Sequence, residues 1–255
     1  MNNSADIAQL GFVLEPSAIH SRRSISVNDV RLLFASTKPT LSYEEIRQLV
    51  IDNNILGKGT YSSRQGILRC LREFYGLNSD ILVYSALRFF WHYDIEEQPL
   101  LALLCAAARD PILRQSAGIV LAWPQDTTLP KAALEETLKE KYSNRYSPGI
   151  MAGMVRRLLS SWKQAGHLSG HRTKVRTRAT SGPASTAYAL FLGYITGLRG
   201  QYLLDSLWVK LLDAPLADVH DHAFAAANRG WLDYKNAGGV VEISFPDVWD
   251  SRSEK

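Results

Sequence analysis

Arginine and glutamine recur at helical spacing in this chain, where they could grip or read a polyanion. In YSSRQGILRCLREFY, Gln65, Arg69 and Arg72 stand at i, i+4 and i+7, opposite an apolar stripe of Ile67, Leu68, Leu71, Phe74 and Tyr75. Ser62 and Arg64 lie near the start of the same segment. Arg and Gln can reach base edges, while Ser and exposed amides suit phosphate. A second stripe comprises Gly149, Gly153, Arg156, Ser160 and Lys163, whose small residues near the start would permit close approach to a groove. Beyond it, Arg172, Lys174, Arg176 and Arg178 alternate with Thr, Val and Ala, which suits phosphate contacts along an extended wing.

Covalent and metal chemistry find less support. The chain has no G-x-x-x-x-G-K-[ST] loop, G-x-G-x-x-G turn, G-x-S-x-G elbow or H-E-x-x-H pair. His220-Asp221-His222 offers two imidazoles, but i and i+2 on a helix diverge too far to share one ion. Cys70 falls beside the core stripe of its helix and reads as a small buried residue. Glu44-Glu45, Glu96-Glu97 and Glu135-Glu136 read as solvated helix faces. The expectation is a protein that is not an enzyme and carries no cofactor or metal.

The charge is polarised. From Lys141 to Leu204 there are ten basic residues and no Asp or Glu, so that stretch carries +10 and the remainder −6 of a total of +4. Such a field attracts polyanions, of which nucleic acid is the commonest. Apolar residues make up 46% of the 255, enough for a substantial core and against global disorder. Two cysteines, Cys70 and Cys105, cannot build a disulfide framework. MNNSADIAQL lacks the pattern of a signal peptide, and the apolar run Leu100 to Ala108 is too short to span a bilayer. A soluble cytoplasmic protein is expected, without membrane contact.

Helical periodicity must position these residues. Ser42 and Glu45 form a capping-box pattern ahead of Ile46, Leu49 and Val50, and DNNILGKGT breaks the run before the Arg-rich helix, which Gly76 stops. This predicts a helix-turn-helix. Residues Ile81 to Trp123 read as buried helices, with Phe89, Phe90 and Trp91 as core aromatics. A helix from Pro130 to about Tyr142 is followed by a Ser147-Pro148 start, and the next helix buries Ile150, Met151, Met154, Val155, Leu158, Leu159 and Trp162. With the wing, this is a second helix-turn-helix. Helices near 184–197, 201–212 and 216–228 lead into WLDYKNAGGVVEISF, a hairpin signal. Helix, helix, hairpin would be a third winged-helix-like unit, acidic through Asp213, Asp218, Asp221 and Asp233 and suited to protein contact. The tail DSRSEK reads as loose.

YEEIRQLVIDNNILGKGTYSSRQGILRCLREFY resembles the N-terminal helix-turn-helix of the BrxA family of bacteriophage-exclusion (BREX) systems, in which a polar turn precedes an Arg-rich helix. LPKAALEETLKEKYSNRYSPGIMAGMVRRLLSSWKQAGHL is similar to their second one, and the opening LGFVLEPSAI is alike. The resemblance implies a non-enzymatic, mostly helical subunit of an anti-phage complex that binds double-stranded DNA. It implies a DNA-facing role for Lys58, Ser62, Arg64, Arg69 and Arg72, and for Arg145, Ser147, Arg156 and Arg157. Arg64-Gln65, Ser147-Pro148-Gly149 and the C-terminal hairpin depart from the family pattern and mark a divergent member.

The reading is mainly α, with two helix-turn-helix or winged-helix units and a small C-terminal β-hairpin. It divides into a first helix-turn-helix region (1–80), an apolar helical connector (81–128), a second helix-turn-helix with basic wing (129–180), and C-terminal helices with the hairpin (181–255). The expected partners are duplex DNA and, through the acidic C-terminal region, other defence subunits, a methyltransferase among the candidates. The alternatives are a winged-helix transcription regulator, a scaffold that binds only protein, and an RNA binder. The last is disfavoured by the absence of a stacking motif.

Overall fold

The computed structural model describes residues 4–245, and the tail DSRSEK lies outside them. The described residues are mainly helical, with fourteen helices and two small antiparallel hairpins. The helices are α1 (Ser4–Gln9), α2 (Ile19–Arg22), α3 (Val27–Ser36), α4 (Tyr43–Ile51), α5 (Tyr61–Tyr75), α6 (Leu82–Phe90), α7 (Gln98–Arg109) and α8 (Pro111–Ala122). Then come α9 (Lys131–Tyr142), α10 (Pro148–Gln164), β1 (Leu168–Ser169), β2 (Val175–Arg176), α11 (Pro183–Ile195), α12 (Gly200–Leu204), α13 (Leu207–Lys210) and α14 (Leu216–Ala227). The hairpin β3 (Asp233–Ala237) and β4 (Val240–Ser244) turns on Gly238 and Gly239, both at positive φ, which a side chain would strain.

The short apolar run is the centre of the molecule. Every residue from Leu100 to Ala108 in α7 is buried, and α3, α5, α6, α8, α10 and α11 pack around it. A helix apolar on all sides needs cover on all sides. No helix among the described residues is long and apolar enough to cross a membrane.

Local signals act where the sequence places them. Ser42 and Glu45 form the capping box of α4, Gly76 closes α5 at φ 92°, and Ser147 caps α10 with Pro148 as its first residue. Two expectations shift. The predicted helix 201–212 divides into α12 and α13, with Ser206 capping the second. Ile150, expected in the core, is exposed in the first turn of α10, and the buried side of that helix begins at Met151.

Buried polar groups tie distant segments. Glu97, almost wholly buried, accepts from Ser185 N–H (2.6 Å), Ser185 Oγ–H (2.6 Å) and Ala184 N–H (3.3 Å), so a carboxylate caps the first turn of the buried α11. Gly182 makes room for it, since a Cβ there would lie 2.5 Å from Glu97 Oε1. Glu97→Ala leaves those donors buried and unpartnered, and should cost about 3 kcal/mol in urea unfolding. A loss below about 1 kcal/mol would mean that they find other acceptors.

Candidate nucleic-acid interface

The first helix pair is α4 and α5, joined by residues 52–60, a longer connection than the tight turn of about three or four residues in a minimal helix-turn-helix. Thr60 Oγ1 accepts from Ser63 N–H (3.1 Å) to start α5, and Ile67, Leu68, Leu71 and Phe74 are buried against α4 and α7. Ser62, Gln65, Arg69 and Arg72 lie exposed on the other side. Arg72 stacks on the Tyr43 ring at 4.2 Å. Gln65, Arg69 and Arg72 line a groove of about 220 Å³ together with Leu68, Ile51, Tyr43 and Arg47. Tyr43 and Arg47 escaped sequence reading, although their i, i+4 spacing on α4 is the available signal; which face α5 would meet was not.

Two expected residues of this group are committed elsewhere. Arg64 donates to the Ile51 carbonyl and closes the C-terminal end of α4, its Nε buried without a partner among the described residues. Lys58 Nζ lies 2.6 Å from Asp29 Oδ1 and pins the turn to α3. The helical projection could not foresee either, because the acceptors belong to other elements.

The second unit runs α8, residues 126–129, α9, α10, β1 and β2. Thr128 bridges Val175, Leu129 N–H donates to Lys174 O (2.8 Å) and Arg176 N–H to Thr127 O (2.9 Å), so β2 lies between the 126–129 segment and β1. On α10, Arg156 and Lys163 are exposed and Ser160 half-buried. The end of α10 packs against β1, and burial, with neighbouring Lys163 adding to it, holds the Lys174 ammonium below its ordinary pKa. Arg172 and Arg178 are exposed.

Several residues of this unit depart from expectation. Gly153 is buried, with Arg157 Nη1 donating to its carbonyl at 3.0 Å. Arg145 donates to Pro16 O (2.7 Å) and lies 3.9 Å from Glu15, tying the α9–α10 turn to the N-terminal segment. Ser147 serves as the α10 cap. Lys174 Nζ donates to Gly170 O (3.1 Å) and His171 O (2.5 Å), closing its own loop.

Arg176 is the largest correction. Its side chain is 1% exposed and makes a bidentate pair with Asp213, at 2.7 and 2.8 Å, while Nη1 also donates to the Thr177 carbonyl. It therefore joins the wing to the segment after α13 and offers nothing to a phosphate. Asp213 in turn is not part of an exposed acidic surface. Alternation correctly located the strand but not which side of it would be covered.

Beside this pair, His167 is fully buried against Trp162, with Nε2 2.9 Å from the Leu211 carbonyl. That acceptor fixes Nε2 as the donor. Burial pushes the imidazole down from 6.5 to about 4, only partly opposed by Asp213.

Three further groups were invisible in sequence. His20 Nδ1 lies 2.5 Å from Asp110 Oδ2 and His20 Nε2 2.9 Å from Ser161 Oγ. The order resembles a nucleophile, base and orienting acid. All three are buried, and Ser161 Oγ also accepts from Ile25 N–H (3.1 Å) and donates to Arg157 O (3.0 Å). The trio is a strut joining α2, the start of α8 and α10. Separations of 90 and 141 residues hid it. His220 and His222 face different partners, Tyr234 and Thr186.

The arrangement is that of a helical protein with a first helix pair, a second pair followed by a short hairpin, and an exposed cationic surface on both. Residues 17–121 match the model of the BrxA family. The match supports BrxA membership, and the family implies an association with BREX phage defence. It spans the first helix pair and the buried α7, not α9 to α14. No curated protein matches the chain.

Arg176→Ala strands Asp213 and should cost about 3–5 kcal/mol, whereas Arg176→Met with Asp213→Leu should cost less, as read by denaturant unfolding. For His167, the folded pKa lies below that of the unfolded chain, so acid protonates the unfolded state first. Its contribution is complete above pH 6.5 and is lost as pH falls towards about 4, on the order of 3 kcal/mol. His167→Gln should flatten the stability–pH curve in that window; an unchanged curve would show that His167 does not titrate there.

Proposed function

We propose that this chain is a non-enzymatic, duplex-DNA-binding component of a BREX-type defence system, and that it also contacts other subunits of that system. The observation that carries the reading is the set of uncancelled cations between Lys141 and Leu204. Arg156, Lys163, Arg172 and Arg178 are exposed and meet no carboxylate among the described residues; in that stretch only Arg176 and, at 3.9 Å, Arg145 do. Exposed cations without counter-charges release counterions when they meet phosphates.

We read the order α8, 126–129, α9, α10, β1, β2, with β2 in the middle, as a winged helix. In that reading α10 offers Arg156 and Lys163 to a groove, while Arg172 and Arg178 on the wing lie along the backbone. The α4–α5 groove supplies a second contact. There Tyr43 holds the Arg72 guanidinium flat, and Gln65 and Arg69 reach outward.

Affinity for duplex should fall steeply with salt. Replacing Arg172 and Arg178 together with Ala should lower the log–log slope by about 2, similarly for every sequence, since each phosphate contact contributes roughly 0.9. Arg176 must be left in place, because its loss acts through folding. Arg69→Ala or Arg156→Ala should cost about 1–3 kcal/mol and alter any sequence preference. An unchanged slope in a folded double variant would remove the wing from the interface. A preference of roughly 10³ for one promoter would instead indicate a regulator.

A further inference from the structure

The C-terminal helix α14 buries Val219, Ala223 and Ala226 against α11. Its opposite side carries Ala217, Asp218, Asp221, Phe224 and Asn228, all exposed. Phe224 is 59% exposed in the last turn of a helix whose other side is well packed. Asp218 and Asp221 make no hydrogen bond or ion pair among the described residues. The hairpin β3–β4 is held beside the helix by His220 Nδ1, 2.5 Å from the Tyr234 hydroxyl, and Val240 at its turn is 73% exposed.

The succession α11, α12, α13, α14, β3, β4 ends, like the succession α8, α9, α10, β1, β2, in a helix followed by a hairpin. The helices that precede the two hairpins differ in what they expose. Where α10 presents Arg156 and Lys163, α14 presents Asp218, Asp221 and Phe224. The charge is reversed and an aromatic anchor added. Carboxylates there repel phosphate, so this side does not meet nucleic acid.

We propose that the exposed side of α14 docks a lysine- or arginine-rich amphipathic segment of a partner protein. Phe224 enters the apolar side of that segment, and Asp218 and Asp221 pair with its cations. An aromatic anchor beside charged groups is a common pairing in such interfaces. A second copy of this chain is the poorer occupant, because its cations lie in the stretch assigned above to DNA. The inference deepens the subunit-contact part of the proposed function and is independent of its DNA part.

The test uses the full chain and a short, amidated, fluorescein-labelled helical peptide of Lys and Leu, read by anisotropy. The protein carries +4 overall, so general electrostatics oppose this cationic probe and binding must be local. Binding should weaken with salt, and by about tenfold or more in Phe224→Ser and in the Asp218→Lys, Asp221→Lys pair. Duplex affinity of Phe224→Ser should be unchanged. Absence of binding at ~1 mM protein would overturn the proposal. So would equal binding by both variants, or self-association of the free protein that Phe224→Ser abolishes, which assigns the face to a second copy. Peptide binding in a protein that fails to shift duplex leaves this inference standing and removes the DNA reading alone.

Discussion

The burial of α7 on every side is the constraint from which the rest of the architecture follows. A helix with nine consecutive buried residues, Leu100 to Ala108, cannot lie at a surface. It must be enclosed, and α5, α6, α10 and α11 each turn an apolar stripe towards it or towards its neighbours. Enclosure dictates which side of α5 and α10 remains outward. The outward sides are where Arg69, Arg72, Arg156 and Lys163 stand, so the placement of the cationic surface is a consequence of packing around one helix.

Enclosure also brings polar ends into the interior, and the fold satisfies them with charged partners. Glu97 caps α11, Asp110 caps α8 while holding His20, and Arg176 joins the wing to the segment after α13. Each is expensive to bury alone, so loss of one partner should be felt more than the absence of both. The same contacts draw the β1–β2 hairpin and the C-terminal helices together through Arg176, Asp213, His167 and Leu211.

The cations therefore divide by use. Arg64, Arg157 and Arg176 serve carbonyls or a carboxylate inside the protein, and Lys58 neutralises Asp29. Those remaining outside are concentrated where no acid intervenes. The BrxA match, over residues 17–121 of 255, covers the part of the molecule that holds the first helix pair, while the segment richest in uncancelled charge lies beyond it. The sides exposed by α10 and α14, each the helix before a hairpin, carry opposite charge.

The sequence by itself determined the elements and their faces. The capping box at Ser42 and Glu45, the glycine stop at Gly76, the Ser147-Pro148 start and the Gly238-Gly239 turn all act within a few residues, and that range is what periodicity and capping describe. The exposed positions of Gln65, Arg69, Arg156 and Lys163 were legible for the same reason, since an apolar stripe implies its opposite. Only the tertiary structure decided that Arg176 is buried, that Arg64 caps another helix, that Tyr43 supports Arg72 and that His20 meets Asp110 and Ser161. Those outcomes depend on partners 13 to 141 residues away, on elements whose approach is set by packing around α7. Alternation or helical spacing says that a side chain points away from its own element's core; it carries no information about what another element will lay over it.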